Sequence, residues 1–166
     1  MLDLRKWMRP GAEAEEASES YDFSGRDFYG FAVEKPVHMH YRLTPTGAGV
    51  RLWLQIDAEL NAECARCLGP AVHALHVESN YTITPEELLE DFPQLPMQGS
   101  LLDLEELAYG EVVMETPASI VCRDDCAGLC QTCGAPLGQC GCPKDEGGDV
   151  RWQVLRDLLK AQEENI

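Results

Sequence analysis

The sequence predicts an α+β protein: an antiparallel β-sheet that could close in a barrel-like way, a central and a C-terminal helix, and a cysteine-rich module. Three observations carry this expectation. Apolar residues alternate over 50–60, helical spacing follows residue 100, and six of the eight cysteines crowd into 122–142.

Taken in order, residues 1–20 open with LDLRKWM, a short helix or strand, and continue through Pro10-Gly11 into an acidic, Ala/Ser-rich run. That run has little to bury and reads as a flexible segment. From Tyr21 the chain reads as strands broken by turns, with Thr44-Pro45-Thr46-Gly47 as the clearest turn. Val50, Leu52, Leu54, Ile56, Ala58 and Leu60 then share one face, and Arg51, Trp53, Gln55, Asp57 and Glu59 the other. Such alternation marks a half-buried antiparallel strand. Cys64-Ala65-Arg66-Cys67 stands at a hairpin-like turn before a further strand, AVHALHVESNYTITP. Segment 85–100 is acidic and Pro-rich and reads as an exposed loop.

Residues 101–115 carry Leu101, Leu104, Leu107, Ala108, Val112 and Val113 at helical spacing, and Asp103, Glu105 and Glu106 suit the positive end of a helix dipole. Pro117 ends that helix. After the cysteines and a KDEGGD loop, VRWQVLRDLLKAQEE places Trp152, Leu155, Leu158 and Leu159 on one side of a last helix. The expected organisation is therefore a flexible acidic segment at 1–20, a main domain at 21–121, a cysteine-rich module at 122–149, and a helix at 150–166 packing on the main domain.

The cysteines form four close pairs: Cys64/Cys67, Cys122/Cys126, Cys130/Cys133 and Cys140/Cys142. A close pair supplies two thiolates from one turn, and a tetrahedral metal ion joins two such pairs. Cys130, Cys133, Cys140 and Cys142 are compact enough to close on one ion, which leaves Cys64, Cys67, Cys122 and Cys126 as a second set. Exchange of Cys126 with Cys130 is compatible with spacing alone. Two structural zinc ions are the expected cofactors, because all-thiolate sites are closed whereas catalytic zinc keeps an open position. An iron–sulfur cluster would use the same donors. A redox dithiol fits less well, since neither CxxC follows a thioredoxin-like strand and opens a helix.

Charge narrows the partners. The formal net charge is −16, and two zinc ions held by eight thiolates would carry it to about −20. A polyanion repels nucleic acid at long range and attracts basic proteins. With no apolar run long enough to span a bilayer and no signal-peptide pattern at the start, the sequence reads as cytoplasmic, where close cysteine pairs bind metal rather than oxidise.

The remaining candidates read as structural. His38, His40, His73 and His76 lie on expected strands, with His38 and His40 on one face, and serve as hydrogen-bonding surface groups. Glu86/Glu87 and Glu105/Glu106 are solvated pairs in an acidic chain. Trp152 belongs to its helix, while Trp7 and Trp53 could anchor a partner, Trp53 being the better placed. Arg66 and Arg123 flank the shared cysteine set, to steer an anion or offset thiolate charge. No catalytic motif occurs: neither a nucleophile elbow, nor a phosphate-binding glycine loop, nor H-E-x-x-H.

ECARCLGP, then a helix, then CRDDCAGLCQTCGAPLGQCGC, then VRWQVLRDLL resembles the YceD family of bacterial and plastid proteins. The resemblance runs from Tyr21 to Leu159, and its most specific part is GLCxxCG at Gly128–Gly134. It implies a role in accumulation of large-subunit (23S) ribosomal RNA. Family members that lack the GLCxxCG segment imply that Cys64 and Cys67 share their metal with Cys122 and Cys126. The expected function is a non-enzymatic ribosome-biogenesis factor acting through a ribosomal or ribosome-assembly protein, with no membrane and no small-molecule substrate. The rival readings are a direct nucleic-acid-binding zinc ribbon, for which the chain shows no basic stripe, and a thiol-redox or iron–sulfur protein.

Overall fold

The computed structural model of the chain describes residues 1–86, 88, 95–137 and 139–142. It divides into two compact units, Met1–Cys126 and Ala127–Ile166. The boundary falls after Cys126 rather than before Cys122, because Cys122 and Cys126 belong with cysteines of the first unit.

The first unit is organised on one long strand. β5 (Gly49–Glu63) pairs antiparallel along its whole length with β6 (Pro70–Ile83), from Val50↔Ile83 to Glu63↔Pro70. Its other edge takes β4 (Val37–Thr46) and then the short β3 (Phe31–Ala32), while β2 (Glu15–Tyr21) adds outside β4. The sheet is antiparallel and curls as a half-barrel. Val50, Leu52, Leu54, Ile56 and Leu60 are buried on the concave side with Val37, Met39, Tyr41 and Leu43 of β4. These are the alternate residues, as a two-residue period demands.

β4 runs through Thr44, Pro45 and Thr46, so the reversal lies at Gly47-Ala48 instead of at the expected Thr44–Gly47 turn. Gly49 follows with φ +156°, and a Cβ there would lie 2.1 Å from the Ile83 carbonyl oxygen. The close approach of β6 therefore requires glycine at this position.

Residues 1–20 are not the flexible segment that their acidity suggests. β1 (Leu2–Asp3) pairs with β8 (Leu101–Leu102), which pairs with β7 (Met97–Gln98). A 3₁₀ turn over Leu4–Lys6 follows, and Leu4 and Trp7 are buried in the core. Two apolar anchors thus hold the start of the chain. The acidic run becomes edge strand β2, whose carboxylates find cations: Glu15 pairs with Lys6 and Glu16 with Arg42. Charged side chains on an edge strand also discourage pairing with another chain.

Helix α1 spans Leu104–Glu115, not 101–115. Asp103 is its N-cap and accepts from the amides of Glu105 and Glu106 at 3.1 and 3.2 Å. Leu101 and Leu102, being claimed by strand pairing, stay outside it. Leu104, Leu107, Ala108, Glu111 and Val112 face inward, and Thr116 and Pro117 end the helix. Part of the expected 85–100 loop is ordered structure, since β7 lies in it and Leu95 is buried. α1 is the one α-helix among the described residues, and the expected C-terminal helix over 150–166, with Trp152, lies outside them. No helix among the described residues is long and apolar enough to cross a membrane.

Substituting Gly49 by Ala should destabilise the first unit by about 1–3 kcal/mol. Urea denaturation followed by tryptophan fluorescence measures this, and an unchanged midpoint would mean that β6 moves aside freely.

Candidate metal centres

The first centre is assembled from two places in the first unit. Between β5 and β6, the amide of Cys64 donates to the Gly69 carbonyl at 2.8 Å and that of Leu68 to the Cys64 carbonyl at 2.9 Å. These bonds curl Cys64–Gly69 into a knuckle that brings its two thiols to one point. The segment after α1 is laid against this knuckle by its own hydrogen bonds. The amide of Ala65 donates to the Ile120 carbonyl at 2.8 Å, and the Arg66 guanidinium donates to the carbonyls of Asp124 and Cys126 at 2.9 and 3.1 Å. Arg66 thus neither steers an outside anion nor pairs with a thiolate; it closes the two halves together. Arg123 pairs with Asp125 at 3.2 Å on the surface.

The sulfurs of Cys64, Cys67, Cys122 and Cys126 lie within 4.8 Å of one another. Cys64 and Cys126 are 3.8 Å apart, as are Cys67 and Cys122. Four thiolates around zinc, each at about 2.3 Å, have sulfurs about 3.8 Å apart. All eight cysteines are free of disulfides. The donor set and its spacing therefore fit a tetrahedral thiophilic ion. Cys64 and Cys126 are buried within the hydrophobic core cluster, so this centre is continuous with the packed interior.

The second unit repeats the knuckle. The amide of Gly134 donates to the Cys130 carbonyl at 2.8 Å, and that of Cys130 to the Ala135 carbonyl at 2.8 Å. This is the pattern made by Leu68 and Gly69 around Cys64. An isolated bridge between Leu129 and Pro136 and a bond from the Leu137 amide to the Gly128 carbonyl close the loop. Cys130, Cys133, Cys140 and Cys142 have their sulfurs within 4.8 Å, with Cys133 and Cys140 at 3.4 Å. Of its described residues only Cys130 is buried. Among the described residues, its four sulfurs have no apolar core around them.

In each centre one thiol is prepared to ionise. The Cys64 thiol falls to about 6, chiefly because the Cys122 amide donates to its sulfur, with the Arg66 and Cys67 amides adding to this against burial. The Cys130 thiol likewise falls to about 6, through the Cys133 amide, the Cys140 thiol and the Thr132 amide. Their neighbours move the other way. Cys126, burial and the thiols of Cys64 and Cys67 push Cys122 up to about 12. Cys140 also rises to about 12, where the Cys142 amide opposes the rise and the thiols of Cys130 and Cys133 outweigh it. Amide donors stabilise the first negative charge, and crowding resists the next ones until a cation neutralises them.

The histidines stand elsewhere. His38 and His40 share the outer face of β4 and meet Ser20 and Ser18 of β2 through Nδ1 at 2.8 and 3.0 Å. His76 Nδ1 lies 2.7 Å from Asp57 on the same outer face, while half-buried His73 points inward. Trp53 donates from Nε1 to Glu78 at 2.8 Å, and Trp7 is a core residue rather than a surface anchor. Sequence reasoning missed two features. Leu68 adopts φ +58° in the first knuckle at the position that Gly134, φ +72°, fills in the second. Glu111 is the one buried charged residue among those described. Aligning the two CxxC segments would have shown the first, and continuing the inward helical stripe through residue 111 the second.

The family model for YceD, the large ribosomal RNA subunit accumulation protein, matches residues 52–159. An uncharacterized protein of Mycobacterium tuberculosis is 28% identical over 165 residues, covering 95% of this chain and 80% of its own length. A Mycobacterium bovis protein, also uncharacterized, matches to the same extent. An uncharacterized protein of Mycobacterium leprae is 32% identical over 133 residues, covering 75% of this chain and 59% of its own. No solved structure matches.

Leu68 is 63% exposed yet held in the left-handed region. Replacing it with Gly should raise stability by about 1 kcal/mol, since the left-handed conformation costs a side chain that much and little burial is lost. Chemical denaturation at constant metal content reads the change. A loss of stability would show that the Leu68 side chain packs in the fold.

Proposed function

The chain belongs to the YceD family, which is named for large ribosomal RNA subunit accumulation, and on that premise we propose that it is a non-enzymatic assembly factor. In this reading it is an acidic, zinc-stapled scaffold that supports large-subunit rRNA by holding a basic ribosomal protein. The observation that carries it is the gathering of all eight cysteines into two groups of four whose spacing suits a closed tetrahedral ion. Sites with four thiolate ligands contribute folding free energy and leave no coordination position for a substrate.

Cys64, Cys67, Cys122 and Cys126 would hold one ion, and Cys130, Cys133, Cys140 and Cys142 the other. The bound ions neutralise thiolates that otherwise repel one another, and so fix the two knuckles. The first ion would pin the β5–β6 turn to the segment leaving α1, at the margin of the core. The second would take the place of a core. A net charge of −16 supports a basic protein as the partner and disfavours long-range attraction to RNA.

Elemental analysis should find two zinc ions per chain, with thiol titration showing all eight thiols masked until a chelator is added. Iron, or freely reactive pairs, would sink the scaffold reading. Cys64→Ser and Cys126→Ser should expose the first unit to limited proteolysis, while Cys133→Ser and Cys140→Ser should open only the local loop. Equal protection in all four would count against two separate centres. In cells lacking the gene, the wild-type chain should restore large-subunit rRNA relative to small-subunit rRNA, and Cys64→Ser should not.

A further inference from the structure

Glu111 lies on the inward stripe of α1, only 9% exposed, and none of the ion pairs among the described residues includes it. Its carboxylate accepts hydrogen bonds from two hydroxyls of β6, Ser79 Oγ at 2.6 Å and Tyr81 Oη. Two hydroxyl donors occupy about half of the lone-pair positions that a carboxylate offers. Burial and the adjoining carboxylate push the Tyr81 phenol up to about 12, so it remains a donor at neutral pH. A buried carboxylate with no cation is costly, because hydroxyl dipoles replace only part of its lost hydration.

Glu111 also lines a cavity of about 430 Å³, together with Tyr81, Leu95, Pro96, Leu107, Gly110 and Met114. Apolar side chains supply most of its wall. Glu106 stands at the same cavity, but its charge is met by Arg26 at 2.8 Å. Gly110 leaves the wall open, for a Cβ built there meets nothing within 4 Å. Met114 is 81% exposed and adaptable in shape. A largely apolar cavity wall beside a carboxylate that no cation among the described residues meets complements one kind of group: an aliphatic stem that carries a cation at its tip.

We propose that this cavity is an anchor site for a lysine or arginine side chain of a basic polypeptide, with Glu111 receiving the cationic head and Leu95, Leu107 and Met114 flanking the stem. The inference rests on the proposed function, since it places the contact through which a basic partner would be held. It adds that attraction is concentrated at one carboxylate, beyond the diffuse field of an acidic surface.

The test uses the full chain and a fluorescein-labelled nonapeptide of alternating lysine and alanine, with binding followed by anisotropy in about 150 mM salt to suppress long-range attraction. Glu111→Gln keeps an acceptor for both hydroxyls and removes the charge. It should weaken binding at least about tenfold, as loss of a buried charge partner does. Glu34→Gln, the same charge change at an exposed residue outside the cavity, should weaken it by less than about twofold. Gly110→Leu provides a second variant, in which Glu111 stays and the cavity is filled. It should weaken peptide binding while the melting temperature rises, because leucine is the better helix former. That opposite movement separates a binding role from a folding role. If Glu111→Gln and Gly110→Leu both bind like wild type, attraction is diffuse; the anchor site is then wrong and the scaffold reading stands. If the wild-type chain fails to bind the peptide at all, the anchor and the basic-partner reading both fall.

Discussion

Sulfurs 3.8 Å apart meet where the turn of the longest hairpin touches a segment more than fifty residues further along the chain. Much of the first unit depends on that junction. β5 and β6 rise from the knuckle, and the chain leaving α1 returns to it through Ile120, Asp124 and Cys126. The Ala65 amide and the Arg66 guanidinium tie the two halves together by hydrogen bonds to carbonyls, without the sulfurs. An ion bound there would close a structure that hydrogen bonds already outline, and it would sit beside core residues rather than in a detached loop.

The two centres use the same local device under different conditions. Both begin with a CxxC knuckle, with matching backbone bonds and a left-handed residue one position after the second cysteine. In the first unit Leu68 holds this conformation with its side chain exposed. In the second unit, with little buried among the described residues, glycine fills the position. The acidic character of the chain divides in a similar way. Glu15, Glu16, Glu105 and Glu106 are surface charges met by Lys6, Arg42 and Arg26, whereas Glu111 is buried and, among the described residues, met by two hydroxyls. Composition reports the total charge and says nothing of this distinction.

Much of the fold and of the candidate centres was legible in the sequence because the signals were local. Alternation over 50–60 gave the buried face of β5, and cysteine spacing suggested the two groups of four that the structure brings together, while leaving Cys126 and Cys130 interchangeable. What escaped depends on partners distant in sequence. Residues 1–20 look unstructured until β8 is available to β1 and β4 to β2. Leu101 and Leu102 fit a helical stripe until strand pairing claims them. The reversal at Gly47-Ala48 was displaced by Pro45, which reads as a turn residue yet lies within β4 opposite Val50. Glu111 was hidden because a single acid in an acidic helix looks like surface.

The spacing of the cysteines also sets an order of events during synthesis. Cys133 and Cys140 are separated by 7 positions, so the second group is complete almost as soon as it leaves the ribosome. Cys67 must wait 55 positions for Cys122, and Cys64 must wait 62 for Cys126. At about 5–20 residues per second that wait lasts several seconds. Throughout it, the nascent chain presents a knuckle with two thiols only, because the Cys122 amide that chiefly lowers the Cys64 thiol arrives with the second half of the group. An ion bound at this knuckle could therefore be enclosed only late, and the first unit cannot reach its final packing until α1 and the segment after it have been made.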